Sequence, residues 1–176
     1  MTLSDELDRA RRAYELRDFA GAADAADTAI KLIRQAQAEA WKVMLPNPLP
    51  GWTAGEAQSS SVAPVFFGGG MSTSRVYRRG NDTVETAIIT SSPLVLEGLA
   101  PFLTSGLISG GETKLVIING QKVTYAKGGN AYNMVVADKA LVRVKGSASV
   151  DDDTLRNYLR AVKISEINKT VKFLFV

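Results

Sequence analysis

The sequence predicts an α+β fold: an N-terminal antiparallel helical hairpin, then a mostly antiparallel sheet of six or seven strands with helices packed on it. Three observations carry this. Apolar residues recur at helical spacing through the first 45 residues. A proline cluster, "LPNPLP" at 45–50, ends that pattern. Beyond it the period changes to alternation, in short runs separated by turn residues. The expected division is a helical hairpin at 1–45, a proline-rich linker at 46–51 and an α+β sandwich domain at 52–176.

In the first helix Leu3, Leu7, Ala10 and Tyr14 fall on one face. Thr2 or Ser4 caps its start, and Asp5 and Glu6 sit in the first turn, where they complement the helix dipole. A break near Arg17-Asp18 separates it from a longer helix. That helix carries Ala22, Ala26, Ala29, Ile30, Ile33, Ala40, Trp41 and Met44 on a broad apolar face and stops at Pro46.

Strand-like runs follow at 75–79, 84–90, 114–118, 122–126, 132–137 and 141–145, with a further short run after Trp52. The turns fall at 79–82, Asn119-Gly120, 128–130 and 138–139. Asn119-Gly120 is the strongest, because a type I′ turn needs positive φ at both positions. Two helical segments interrupt the strands. "SSPLVLEGLAPFL" has Pro93 at the first helical position. "SVDDDTLRNYLRAVKISEINK" is one continuous helix with Leu155, Tyr158, Leu159 and Val162 inward. The closing "TVKFLFV", 170–176, has high strand propensity and is expected to pair with a sheet edge, in its own chain or in a second copy.

Composition narrows the chemistry. Apolar residues make up 45% and charged residues 22%, the mix of a folded chain rather than a disordered one. With no Cys and no His, thiol nucleophiles, disulfides, imidazole or thiolate metal sites and His-based triads are excluded. The net charge of +3 divides into −1 over residues 1–50 and +4 over 51–176, a mild tilt rather than a basic stripe, so nucleic acid is not expected as a partner. No apolar run is long enough to span a membrane. "MTLSDELDRARRAYE" carries no signal segment, so the chain reads as cytoplasmic, or periplasmic if Met1 replaces a removed signal peptide.

"FFGGGMSTSRVYRRG", 66–80, has the look of a phosphate loop. It lacks the Lys such a loop needs, and a hairpin pattern rather than a helix comes after it, so it reads as a loop leading into an edge strand. Phe66, Phe67, Arg75, Arg78 and Arg79 are the candidate partner-binding residues. Asp151-Asp152-Asp153 reads as a helix start rather than a cation site. Glu56, Glu85, Glu97 and Glu112 have no pairing spacing, and Trp52 reads as a core plug. No catalytic residue, cofactor or metal is expected.

"ARRAYELRDFAGAADAADTAI" resembles one tetratricopeptide repeat at Ala10, Asp18, Phe19, Ala22 and Ala29. It departs where Arg17 replaces the turn glycine and where Ala13 and Ala26 replace aromatics. "PGWTAGEA", "SRVYRRGNDTVETAIITSSPLV" and "VIINGQKVTYAKGGNAYNMVVADKALVRVKGSAS" resemble uncharacterised bacterial proteins with a PsbP-like, DcrB-type domain. That resemblance implies a non-catalytic accessory or binding domain and carries no functional residue over. The reading is a non-enzymatic protein-interaction or assembly-accessory module whose partner is another protein, with a homodimer through the C-terminal segment as a further expectation. The alternative is a protein binding a small apolar ligand or lipid, with "LVLEGLAPFLTSGLI" as the pocket wall.

Overall fold

The structure, a computed structural model, describes residues 2–62, 70–90, 113–137 and 140–173. Four helices and eight strands lie among them. The chain divides into two compact units, residues 1–40 and 41–176. The first unit is the hairpin of α1 (Leu3–Glu15) and most of α2 (Phe19–Lys42).

The second unit holds β1 (Thr53–Ala54), β2 (Gln58–Val62), β3 (Gly70–Arg79), β4 (Asp82–Thr90), β5 (Thr113–Ile118), β6 (Gln121–Ala126), β7 (Ala131–Val136) and β8 (Ala140–Gly146). The helices α3 (Asp152–Ala161) and α4 (Ile164–Phe173) follow. All strands form one antiparallel sheet, ordered β1-β3-β4-β8-β7-β6-β5, with β2 also on β3. β1 and β2 lie end to end along β3. Ala54 faces Tyr77 and Gln58 faces Ser74, and between them the Gly55 N–H donates to Val76 O at 2.8 Å. Beyond the six clear runs and the short one expected after Trp52, the sheet has one further strand, β2, a serine-rich segment with no apolar alternation that pairs through its backbone and a Ser59–Thr73 hydroxyl bond at 3.0 Å.

Asn119 and Gly120 adopt φ of 51° and 74°, as the type I′ turn between β5 and β6 requires. α3 lies over one sheet face. Asp151 caps it, its carboxylate accepting from the Thr154 N–H at 2.7 Å and the Thr154 hydroxyl at 2.9 Å, which holds the carboxyl below its ordinary pKa. Leu155, Tyr158 and Leu159 are buried against Tyr77, Val84, Ile88, Tyr132, Val142 and Val144. The Tyr77 and Tyr158 rings stand 4.4 Å apart, and Trp52 meets Tyr158 edge-on at 5.6 Å. Trp52 is the core plug expected of it.

Two expectations change. The last helix is not continuous. Val162 takes extended backbone (φ −65°, ψ 134°) and is buried, while the Lys163 N–H leaves the helix to reach Met44 O at 3.2 Å. The tail is not a strand through Phe173. Residues 170–173 continue α4, where the Thr170 hydroxyl donates to Glu166 O at 2.9 Å and Lys169 pairs with Glu166 at 3.0 Å. Strand addition through those residues therefore has no strand to offer. Residues 174–176 and the segment "SSPLVLEGLAPFL" lie outside the described residues.

Candidate protein-interaction surface

The hairpin is built by local chemistry. Thr2 and Asp5 form a reciprocal capping box: Thr2 Oγ1 accepts from the Asp5 N–H at 3.2 Å and Asp5 Oδ2 from the Thr2 N–H at 2.7 Å. Bonding to Thr2 lowers the Asp5 carboxyl pKa. At the far end the Arg17 N–H donates to Tyr14 O at 3.0 Å and the Asp18 N–H to Ala13 O at 2.9 Å. These two bonds define a Schellman stop, and Arg17 sits in its left-handed position at φ 62°. The turn glycine missing from the sequence pattern is thus missing where a positive φ is required. Asp18 then caps α2, accepting from the Gly21 N–H at 2.9 Å.

What this hairpin leaves outside is its main feature. Leu3, Leu7 and Tyr14 share one face of α1 as the spacing predicts, but that face is turned to solvent. Exposure rises from 52% at Leu7 to 66% at Tyr14 and 82% at Leu16, and Phe19 is 62% exposed. The Tyr14 and Phe19 rings meet edge-on across the turn at 5.8 Å, so the patch is continuous there. Ile30 and Ile33 on α2 are also exposed. The buried residues of this unit are Glu6, Ala25, Ala29 and Ala38, and Ala10 and Ala13 are half-buried. The Glu6 carboxylate lies 3.4 Å from Arg9 Nε and has no hydrogen-bond partner. A unit that buries alanines, half-buries Leu32 and leaves its other leucines, its isoleucines and its aromatic rings in water has most of its large apolar surface unspent. Among the described residues of the sheet unit the exposed large apolar side chains are Val43 and, on the end strand β5, Leu115 and Ile117.

The three candidate arginines do not form one patch. Side chains alternate along β3, so Arg75, Tyr77 and Arg79 share one face and Arg78 the other. Arg79 is committed to structure. Its guanidinium lies over the Trp52 ring at 4.7 Å and pairs with Asp82 at 3.4 Å and Asp151 at 3.9 Å. Ser149 donates to Asp82 at 2.5 Å in the same cluster. Arg78 is exposed, and Arg75 points to the proline segment, its Nη1 donating to Pro46 O at 3.4 Å. Phe66 and Phe67 lie outside the described residues.

The acidic run serves the helix start. Beyond the Asp151 cap, Asp152 accepts from the Tyr132 hydroxyl and from Arg156 Nε, the latter at 2.7 Å. Burial, then the bond to Asp152, raises the Tyr132 hydroxyl pKa. Among the described residues no three acidic side chains converge as a metal site would need. No helix there is long and apolar enough to cross a membrane.

No protein-family profile, curated protein or solved structure matches the chain. The PsbP-like, DcrB-type and tetratricopeptide resemblances gain no support from these comparisons, and the hairpin surface stands on its own geometry.

Proposed function

We propose that the chain is a non-enzymatic protein-interaction module that docks another protein on the apolar stripe of its helical hairpin. The observation that carries this is the run of large apolar side chains left in water at Leu3, Leu7, Tyr14, Leu16 and Phe19. With Tyr14 66% and Phe19 62% exposed, each ring side chain leaves on the order of 130 Å² to cover. Burying the pair is worth roughly 6 kcal/mol before the cost of association is met. The fitting partner is an amphipathic helix or apolar segment laid along the stripe. The absence of Cys and His from the sequence favours binding over catalysis.

The test is affinity capture from the extract of the producing cell, quantified by mass spectrometry, with the wild-type chain and a Leu7→Glu/Tyr14→Glu/Phe19→Glu variant as baits. A protein enriched on the wild type and lost from the variant supports the reading. Identical profiles from the two baits refute it. All three positions are exposed, so the variant keeps the hairpin's own buried contacts.

A further inference from the structure

The proline segment does more than join helix to sheet. Lys42, Val43 and residues 45–50, with Arg75, Ala161 and Lys163, enclose a cleft of about 600 Å³ beside the sheet. That is ample for a small organic ligand. Its wall is fixed at several points. The Tyr77 hydroxyl donates to Pro46 O at 2.7 Å, and the Leu49 N–H donates to the Tyr158 hydroxyl at 3.4 Å. The Lys163 N–H donates to Met44 O at 3.2 Å and the Trp52 N–H to Leu49 O at 2.9 Å. Pro46, Pro48 and Pro50 stiffen what lies between, so the cleft is held open without a ligand to order it.

Its charge is of one sign. Lys42, Arg75 and Lys163 line it, and no carboxylate does. Arg75 is half-buried, and its Nε–H is buried without a hydrogen-bond partner. No Asp or Glu pairs with it among the described residues. A guanidinium taken out of water toward neutral carbonyls lacks the counter-ion that such placement ordinarily brings. The remaining wall is apolar: Leu45, Leu49 and the proline rings.

We propose that this cleft binds an organic carboxylate with an apolar body, the carboxylate on Arg75 and Lys163 and the body against the prolines and leucines. A guanidinium fork matches a carboxylate in two parallel bonds. A phosphate group fits less well. It is best held by converging backbone N–H groups, and three residues of this wall, being prolines, have none to offer. The cleft shares no residue with the hairpin stripe, and its ligand is a small molecule rather than the docking partner.

Isothermal titration with octanoate, 1-octanol and octyl phosphate as probes tests this on the intact chain. Octanoate is expected to bind one per chain, with octanol and octyl phosphate each at least about tenfold weaker. Arg75→Gln should weaken octanoate binding by about tenfold or more, and the exposed Lys163→Met by roughly two- to fivefold with a shallower salt dependence. If Arg75→Gln does not fold, as read by its tryptophan emission, Lys163→Met decides. No octanoate heat up to about 1 mM overturns the proposal. So does octanol binding as well as octanoate, octyl phosphate binding more tightly, or an affinity that Lys163→Met leaves unchanged.

Discussion

Tyr77→Phe removes one oxygen atom from the centre of the sheet unit and tests how that unit is held to its proline segment. Tyr77 is fully buried, with its ring against Tyr158 at 4.4 Å, and its hydroxyl is the near donor to Pro46 O at 2.7 Å. Phenylalanine keeps the ring contact and removes the donor. Pro46 is itself buried, so among the described residues its carbonyl keeps one contact, the long one from Arg75 at 3.4 Å. Losing a neutral hydrogen bond costs about 1 kcal/mol, and stranding the buried acceptor brings the total to about 2 kcal/mol. Urea unfolding followed by tryptophan emission reads this unit selectively, because Trp41 and Trp52 both lie in it and both are buried. The midpoint should fall by about 1 M, with the slope unchanged. Tyr14→Phe, at a ring that is 66% exposed, should not move it. A Tyr77→Phe midpoint equal to wild type would refute the reasoning, since the hydroxyl would then contribute nothing to the clamp.

Other perturbations have equally definite outcomes. Burial raises the hydroxyl pKa of Tyr77, Tyr132 and Tyr158 above the ordinary 10.0, so the neutral form is the one the fold favours. Their stabilising effect is complete below pH 10.0 and declines as pH rises from there toward the folded-state values. An alkaline titration read by tryptophan emission and by absorbance at the phenolate band should therefore show unfolding and their ionisation together. Gly146→Ala places a Cβ 2.9 Å from both Leu155 Cδ2 and Val150 Cβ and 3.2 Å from Asn130 Nδ2, an overpacking expected to cost about 1–3 kcal/mol in the same urea assay. Arg17→Gly puts at φ 62° the residue that position favours, so the helical melting temperature by circular dichroism should hold or rise, whereas Arg17→Val should lower it.

Local chemistry was legible in the sequence, and tertiary choices were not. The α1 start at Thr2 or Ser4, the acidic helix start at Asp151-Asp152-Asp153, the Asn119-Gly120 turn and the alternating strands each declare themselves within a few residues, because the forces behind them act over a few residues. β1 falls in the short run expected after Trp52, but β2 and the start of β3 did not declare themselves. "GEAQSSSV" and "GMSTS" have no apolar alternation, and their pairing is set by register with strands elsewhere. The break at Val162 was hidden because Val162 and Ile164 continue the helical period, and the interruption comes from a bond to Met44, far back in the chain. At the C-terminus the β-propensity of Val171 and Phe173 yields to a helix already under way. Arg75, Arg78 and Arg79 are candidate partner-binding residues by closeness in sequence, which is not a shared face in space. The pleat sends Arg78 to the opposite face, and the fold gives Arg79 to Trp52 and Asp151. Nothing in the spacing of Pro46, Arg75 and Lys163 announces a shared cleft, since only the fold brings them together.

The central claim is that the hairpin stripe is where another protein docks, and photo-crosslinking in the producing cell tests it most directly. A photoreactive side chain at position 7 or 14 lies in the stripe, where Leu7 and Tyr14 are exposed. One at position 8 is exposed on the same helix but lies neither three nor four residues from any stripe position. A covalent adduct with a different protein is expected from positions 7 and 14, and little or none from position 8. Adducts absent from positions 7 and 14, formed equally from position 8, or joining only two copies of this chain would contradict the docking of another protein on the stripe.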